Sequence, residues 1–123
     1  MTLRLGVVMD PIGSIKINKD STFAMLLEAQ ARGWPIRYME QKDLFLRDGE
    51  VCARQRALKL FDNASRWFEW GEESTESLSA LDVILMRKDP PFDMEYIYTT
   101  YLLERAEDAG VLVVNKPRSL RDA

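Results

Sequence analysis

Short, near-continuous apolar runs alternate along this chain with stretches whose apolar positions recur at helical spacing, a pattern that predicts buried strands joined by amphipathic helices. Residues 3–9 form the first run and read as a strand buried on both faces, with Arg4 early in it. Asp10-Pro11-Ile12-Gly13-Ser14 is a turn-rich exit, after which Asp20 or Ser21 supplies a side-chain oxygen to cap a helix. That helix is expected to reach about Arg32, with Phe23, Leu26, Leu27 and Ala31 as its apolar face. Gly33 stands where a left-handed terminating residue is wanted. Residues 34–40 then read as a second strand, with Pro35 at its start, where a missing donor does least harm.

Residues 41–80 interrupt this alternation. The segment 44–53 has a hairpin pattern with Asp48-Gly49 at the turn, a pair suited to positive backbone angles. A β-prone stretch at 66–70 either pairs with that hairpin or is helical, and the acidic, polar residues 72–79 read as a surface loop. The expected product is a β-rich flap on one edge of the main sheet, with Trp67, Phe68 and Trp70 buried or shared with a neighbour. Residues 82–86 are the next buried strand, which Pro90-Pro91 forbids from continuing. Asp93 is then a helix N-cap, with Phe92 and Ile97 placed as a hydrophobic staple. The helix is expected to run to about Asp108, and Gly110 ends it before a strand at 111–114. Residues 115–117 leave that strand, and Ser119 opens a helical start. The pattern predicts one α/β domain over 1–123, a mainly parallel sheet flanked by helices with an antiparallel β-hairpin excursion.

Composition narrows the chemistry more by what is missing than by what is present. The 123 residues contain no histidine, which excludes serine-histidine and cysteine-histidine nucleophile pairs and histidine-ligated zinc. Cys52 is the only cysteine, so neither an intrachain disulfide nor a multi-cysteine metal site is available. In a predicted strand it reads as a small buried residue. A net charge of −3 argues against a nucleic-acid-binding surface. No apolar run approaches the roughly 20 residues of a membrane span, and the chain enters its first strand without a leader pattern, so a cytoplasmic protein is expected.

The candidate chemistry gathers where strands end. Arg87 and Lys88 follow the 82–86 strand directly, and in open α/β sheets ligands bind outside the carboxyl ends of the strands. Three loops are expected to converge there, around Asp10, around Arg87-Lys88-Asp89 and around Lys116. Arg87 can clamp a carboxylate or phosphate with two parallel bonds, Lys88 adds a point charge, and Asp10 and Asp89 can hold an ammonium group. The same residues are compatible with ordinary solvated charges and turn formers. No glycine-rich phosphate cradle or lysine-serine pair follows the first strand, so a nucleotide held by this segment alone is not expected.

Val8-Met9-Asp10-Pro11-Ile12, the run from Asp20 to Ala29, the segment from Met86 to Asp93, and Val114-Asn115-Lys116-Pro117-Arg118-Ser119-Leu120-Arg121-Asp122 together carry a resemblance. The chain closely resembles, nearly end to end, the N-terminal domain of bacterial glutathione synthetase, an ATP-grasp ligase. The resemblance implies a Rossmann-like pre-ATP-grasp domain and, for the whole enzyme, ligation of γ-glutamylcysteine to glycine with ATP and magnesium. It also implies a homo-oligomer, with no nucleic-acid or membrane partner. The ATP-grasp domains are absent from this chain, so no cofactor is expected in it and the fragment alone is expected to be inactive. What the resemblance implies here is a substrate-binding wall of Arg87, Lys88, Asp89, Asp10 and Ser21 that contacts γ-glutamylcysteine or glutathione. Two other readings remain: a free-standing small-molecule-binding module, and a phosphorylation-controlled receiver-like module. The receiver pattern fails where Arg87 occupies the position of the acceptor aspartate.

Overall fold

The computed structural model of the protein describes residues 2–88 and 93–114. Strand β1 (Leu5–Met9) is central and pairs in parallel with β2 (Ile36–Met39) on one side and β6 (Val83–Arg87) on the other; β6 pairs in parallel with β7 (Leu112–Val114). Helix α1 (Ser21–Ala31) crosses from β1 to β2, and α2 (Met94–Asp108) crosses from β6 to β7. The two crossovers step outward in opposite directions, and right-handed crossovers in opposite directions lie on opposite faces of a sheet. The core is accordingly split. Leu5, Val7 and Met9 of β1 pack with Phe23, Leu26 and Ala29 of α1, while Val8 packs with Tyr96, Leu103 and Ala106 of α2. The uninterrupted apolar spelling of β1 is thus a strict two-residue alternation between two cores.

The capping residues behave as their chemistry predicts. Asp20 Oδ1 accepts from the Phe23 amide at 2.8 Å and Asp93 Oδ1 from the Tyr96 amide at 2.8 Å. Gly33 and Gly110 close the two helices with φ of 81° and 103°. Phe92, the other half of the expected staple, lies outside the described residues, as do Asp89 and residues 115–123.

The excursion is confirmed as a hairpin and extended well beyond it. β3 (Leu44–Arg47) and β4 (Glu50–Leu60) are antiparallel and joined through Asp48 (φ 52°) and Gly49 (φ 79°). β4 runs on to pair with β2 through Arg37↔Ala57 and Tyr38↔Arg56, which fuses the flap into the main sheet in the order β3-β4-β2-β1-β6-β7. The expectation of a surface loop at 72–79 is overturned: β5 (Phe68–Ser77) is a strand along the whole outer edge of β4, followed by a 3-10 turn at Leu78–Ala80. Nearly every β5 side chain is exposed, so no apolar periodicity marks it. Its partner choice is electrostatic and backbone-driven. Lys59 stands opposite Glu69 and Arg56 opposite Glu73, and Arg54 and Arg56 both approach the Glu73 carboxylate, at 3.5 and 3.9 Å. The register slips between Arg56 and Leu58, where Gly71 leaves just enough room against Ala57. Trp67 and Phe68 pack on the α1-side core; Trp70 is partly exposed under the Arg56 guanidinium, 4.1 Å from its ring. Among the described residues no helix is long and apolar enough to cross a membrane.

Candidate functional site

The connections from β1 and β6 leave in opposite directions, so the crevice between their carboxyl ends is the topological switch point of the sheet, where ligands of such folds bind. Two of the three loops expected to converge there do so among the described residues; the third, around Lys116, lies outside them. Met9 and Arg87 are register partners, which sets Asp10 beside Lys88, and the Lys88 Nζ stands 2.9 Å from Asp10 Oδ1.

Alternation then separates the two cations. Val83 and Leu85 face the α1 side, so Arg87 does too, and its guanidinium reaches the amino end of α1. It donates from Nε to Thr22 Oγ1 at 3.0 Å and from a terminal nitrogen to Ser21 Oγ at 2.8 Å. Ser21 is therefore in direct contact with the residue that leads the predicted wall. Both partners of Arg87 are neutral hydroxyls, and among the described residues no carboxylate forms an ion pair with it. The Asp20 carboxylate already caps this helix end, and an anion seated beside it would meet the remaining donors of the Arg87 guanidinium.

Lys88 and Asp10 instead line a shallow cavity of about 160 Å³ with Pro11, Glu40, Gln41 and Glu95. Glu40, Gln41 and Glu95 had not been singled out in the sequence. Glu40 and Gln41 leave β2 at the same carboxyl edge, so the rule that pointed to Arg87 applies equally to them. Tyr38 ties this part together: its hydroxyl donates to Glu40 Oε2 at 2.7 Å and accepts from the Ile12 amide at 3.2 Å. Burial, and then the hydrogen bond to Glu40, push the Tyr38 hydroxyl well above its usual range, so it holds its proton and stays a donor. The loop after β1 is thereby tethered to the end of β2. The Gln41 Oε1 atom is buried and accepts no hydrogen bond among the described residues.

No cluster of three or more acidic or cysteine side chains suited to a metal occurs among the described residues. Cys52 is buried in β4, two strands away from β1.

A family model for the N-terminal domain of prokaryotic glutathione synthetase matches residues 3–121. The glutathione synthetase of Pseudomonas putida is 65% identical over 122 residues, covering 99% of this chain and 38% of its own length. That of Pseudomonas aeruginosa is 63% identical over the same coverage, and that of Yersinia pestis 62% over 98% of this chain. The chain spans 38% of the length of each of these relatives.

Proposed function

Because the chain belongs to the family of prokaryotic glutathione synthetase N-terminal domains, we propose that it forms one wall of the peptide-substrate site in an ATP-dependent ligase that joins γ-glutamylcysteine to glycine. In that reaction a carboxylate of the dipeptide is phosphorylated and the glycine amine displaces phosphate from the acyl phosphate. This chain's own part is to bind and orient. Arg87 is the anchor, its guanidinium held by Ser21 and Thr22 so that one edge remains for a substrate carboxylate. Lys88 and Asp10, with Asp89, carry the mixed charge that an amino-acid headgroup meets. The described residues offer no nucleotide or magnesium site: the loop after β1 is tied down by Tyr38 and has no glycine-rich cradle, and no acidic cluster is available among them. Nucleotide and metal are assigned to the rest of the ligase. The proposal includes a homo-oligomeric, cytoplasmic enzyme.

The observation that carries the reading is the position of Arg87 at the switch point, where its bonds among the described residues go to neutral hydroxyls, in a chain whose family is that of a peptide ligase. The test is a ligase in which this chain replaces the matching segment of the Pseudomonas putida relative, assayed for ATP-dependent glutathione formation. The swapped enzyme is expected to be active. Arg87→Ala in it should lower kcat/KM for γ-glutamylcysteine by an amount worth roughly 2–5 kcal/mol, the range for truncating one partner of a buried charge contact. Unchanged kinetics would remove Arg87 from the substrate wall.

A further inference from the structure

The opposite end of the parallel strands holds a second, more enclosed cavity of about 230 Å³, between Arg4, Arg37, Gln55 and Glu76, with Ala80 and Leu81 closing its apolar side. Its shape follows from the sheet. Ile36 and Tyr38 face α1, so Arg37 between them faces the other side, and its register partners are Gly6 on β1 and Ala57 on β4. A long side chain flanked by two small ones leaves a hollow. The hollow is roofed by Leu81, whose Cδ1 lies only 2.6 Å from where a Cβ on Gly6 would stand.

The polar groups inside are unequal. Arg4 is already satisfied, bonded through its guanidinium to both oxygens of Asp82 at 3.2 Å. Glu76 stands at the exposed rim, where its Oε2 accepts from Ser74. Arg37 is half-buried, and among the described residues its guanidinium makes neither a hydrogen bond nor an ion pair. Gln55 is 1% exposed, yet its one side-chain bond is a long 3.4 Å contact from Nε2 to the Glu76 carbonyl. A buried amide with four hydrogen-bonding capacities and a guanidinium with five donors thus border the same hollow nearly unused.

We propose that this cavity binds a small monocarboxylate, with its oxygens on the Arg37 fork and the Gln55 side-chain amide. A planar carboxylate matches the guanidinium geometry, and its charge meets Arg37, the lining cation with no ion pair among the described residues, Arg4 being paired with Asp82. The apolar wall of Ala80 and Leu81 suits a short alkyl stem. A multiply charged anion fits less well, because the Glu76 carboxylate stands at the mouth.

The test is a titration of the 123-residue chain with sodium acetate, followed by the Arg37 Nε–Hε and Gln55 side-chain amide NMR signals, with sodium chloride at matched ionic strength as control. Saturable shifts at millimolar acetate, absent with chloride, are expected. Arg37→Met should abolish them, and so should Ala80→Leu, which fills the hollow without touching a charge. Signals that stay still, or move alike in acetate and chloride, overturn the proposal on the unaltered chain alone; saturable shifts kept by both variants overturn its location. Equally tight binding of phosphate would overturn the preference for a single charge.

Discussion

Arg87 and Lys88 are adjacent in sequence and end up on opposite faces of the sheet, one at the hydroxyls of α1 and the other at Asp10. Their pairing as a single cationic patch, natural on paper, is undone by the two-residue period of a strand. A third arginine shows how far one contact reaches. Arg4 grips Asp82 through its backbone amide at 2.7 Å and through its guanidinium, joining the start of β1 to the residue before β6. Those hydrogen bonds, the guanidinium's first, hold the Asp82 carboxyl below the usual carboxylate range. A carboxylate whose folded pKa is depressed contributes stability above its unfolded value of about 3.9 and loses it as the pH falls through the folded value. Both side chains are substantially exposed, so salt is expected to weaken the effect. In a 13C-carboxyl titration Asp82 should therefore titrate below about 3.9, and Arg4→Gln should raise that midpoint. A normal midpoint in the unaltered chain would mean that the pair is not populated in solution.

At the scale of elements, the turn at Asp48-Gly49 gives a clean measure of how much local chemistry commits the excursion to its register. Gly49 has a φ of 79°, and a Cβ there would meet nothing closer than an Arg105 nitrogen at 3.9 Å. Space is available, so Gly49→Ala tests backbone conformation alone. It should lower the stability found by urea unfolding by roughly 1 kcal/mol. No loss would mean that the turn relaxes to another type. The same turn explains what was legible. Asp48-Gly49 and the terminating Gly33 and Gly110 act through their own backbone geometry, and Asp93 and Asp20 through side-chain bonds to amides three residues on, so all are legible locally, Asp20 as one of two candidates with Ser21. β5 is not, because what fixes it lies in ladder bonds to β4 and in the approach of Arg54 and Arg56 to Glu73 across the ladder. An exposed acidic strand looks like a loop until its basic partner is known. The site divides in the same way. Asp10, Arg87 and Lys88 are legible as strand exits, and Glu40 and Gln41, at the exit of the strand read at 34–40, fall under the same rule but were not singled out by it.

For the molecule as a whole, the division of labour in the proposed ligase can be tested by what this chain does without the rest. The proposed wall at the switch point would hold an anion, and the described residues offer nothing to activate one. The chain lacks histidine, its one cysteine is buried in β4, and Tyr38 is held as a donor far above neutral pH. Forming an acyl phosphate in water also requires the reacting carboxylate to be enclosed and its developing charge neutralised from several sides. Among the described residues the cavity beside Asp10 and Lys88 is shallow and open, and Arg87 points away from it toward α1. Incubated with ATP, magnesium, γ-glutamylcysteine and glycine, the 123-residue chain should therefore release no phosphate above background. The segment-swapped ligase carrying the same residues should turn over under identical conditions. Turnover by the chain alone would refute the assignment of nucleotide chemistry to the remaining 62% of the relatives' length, since the curated relatives are matched over 38%.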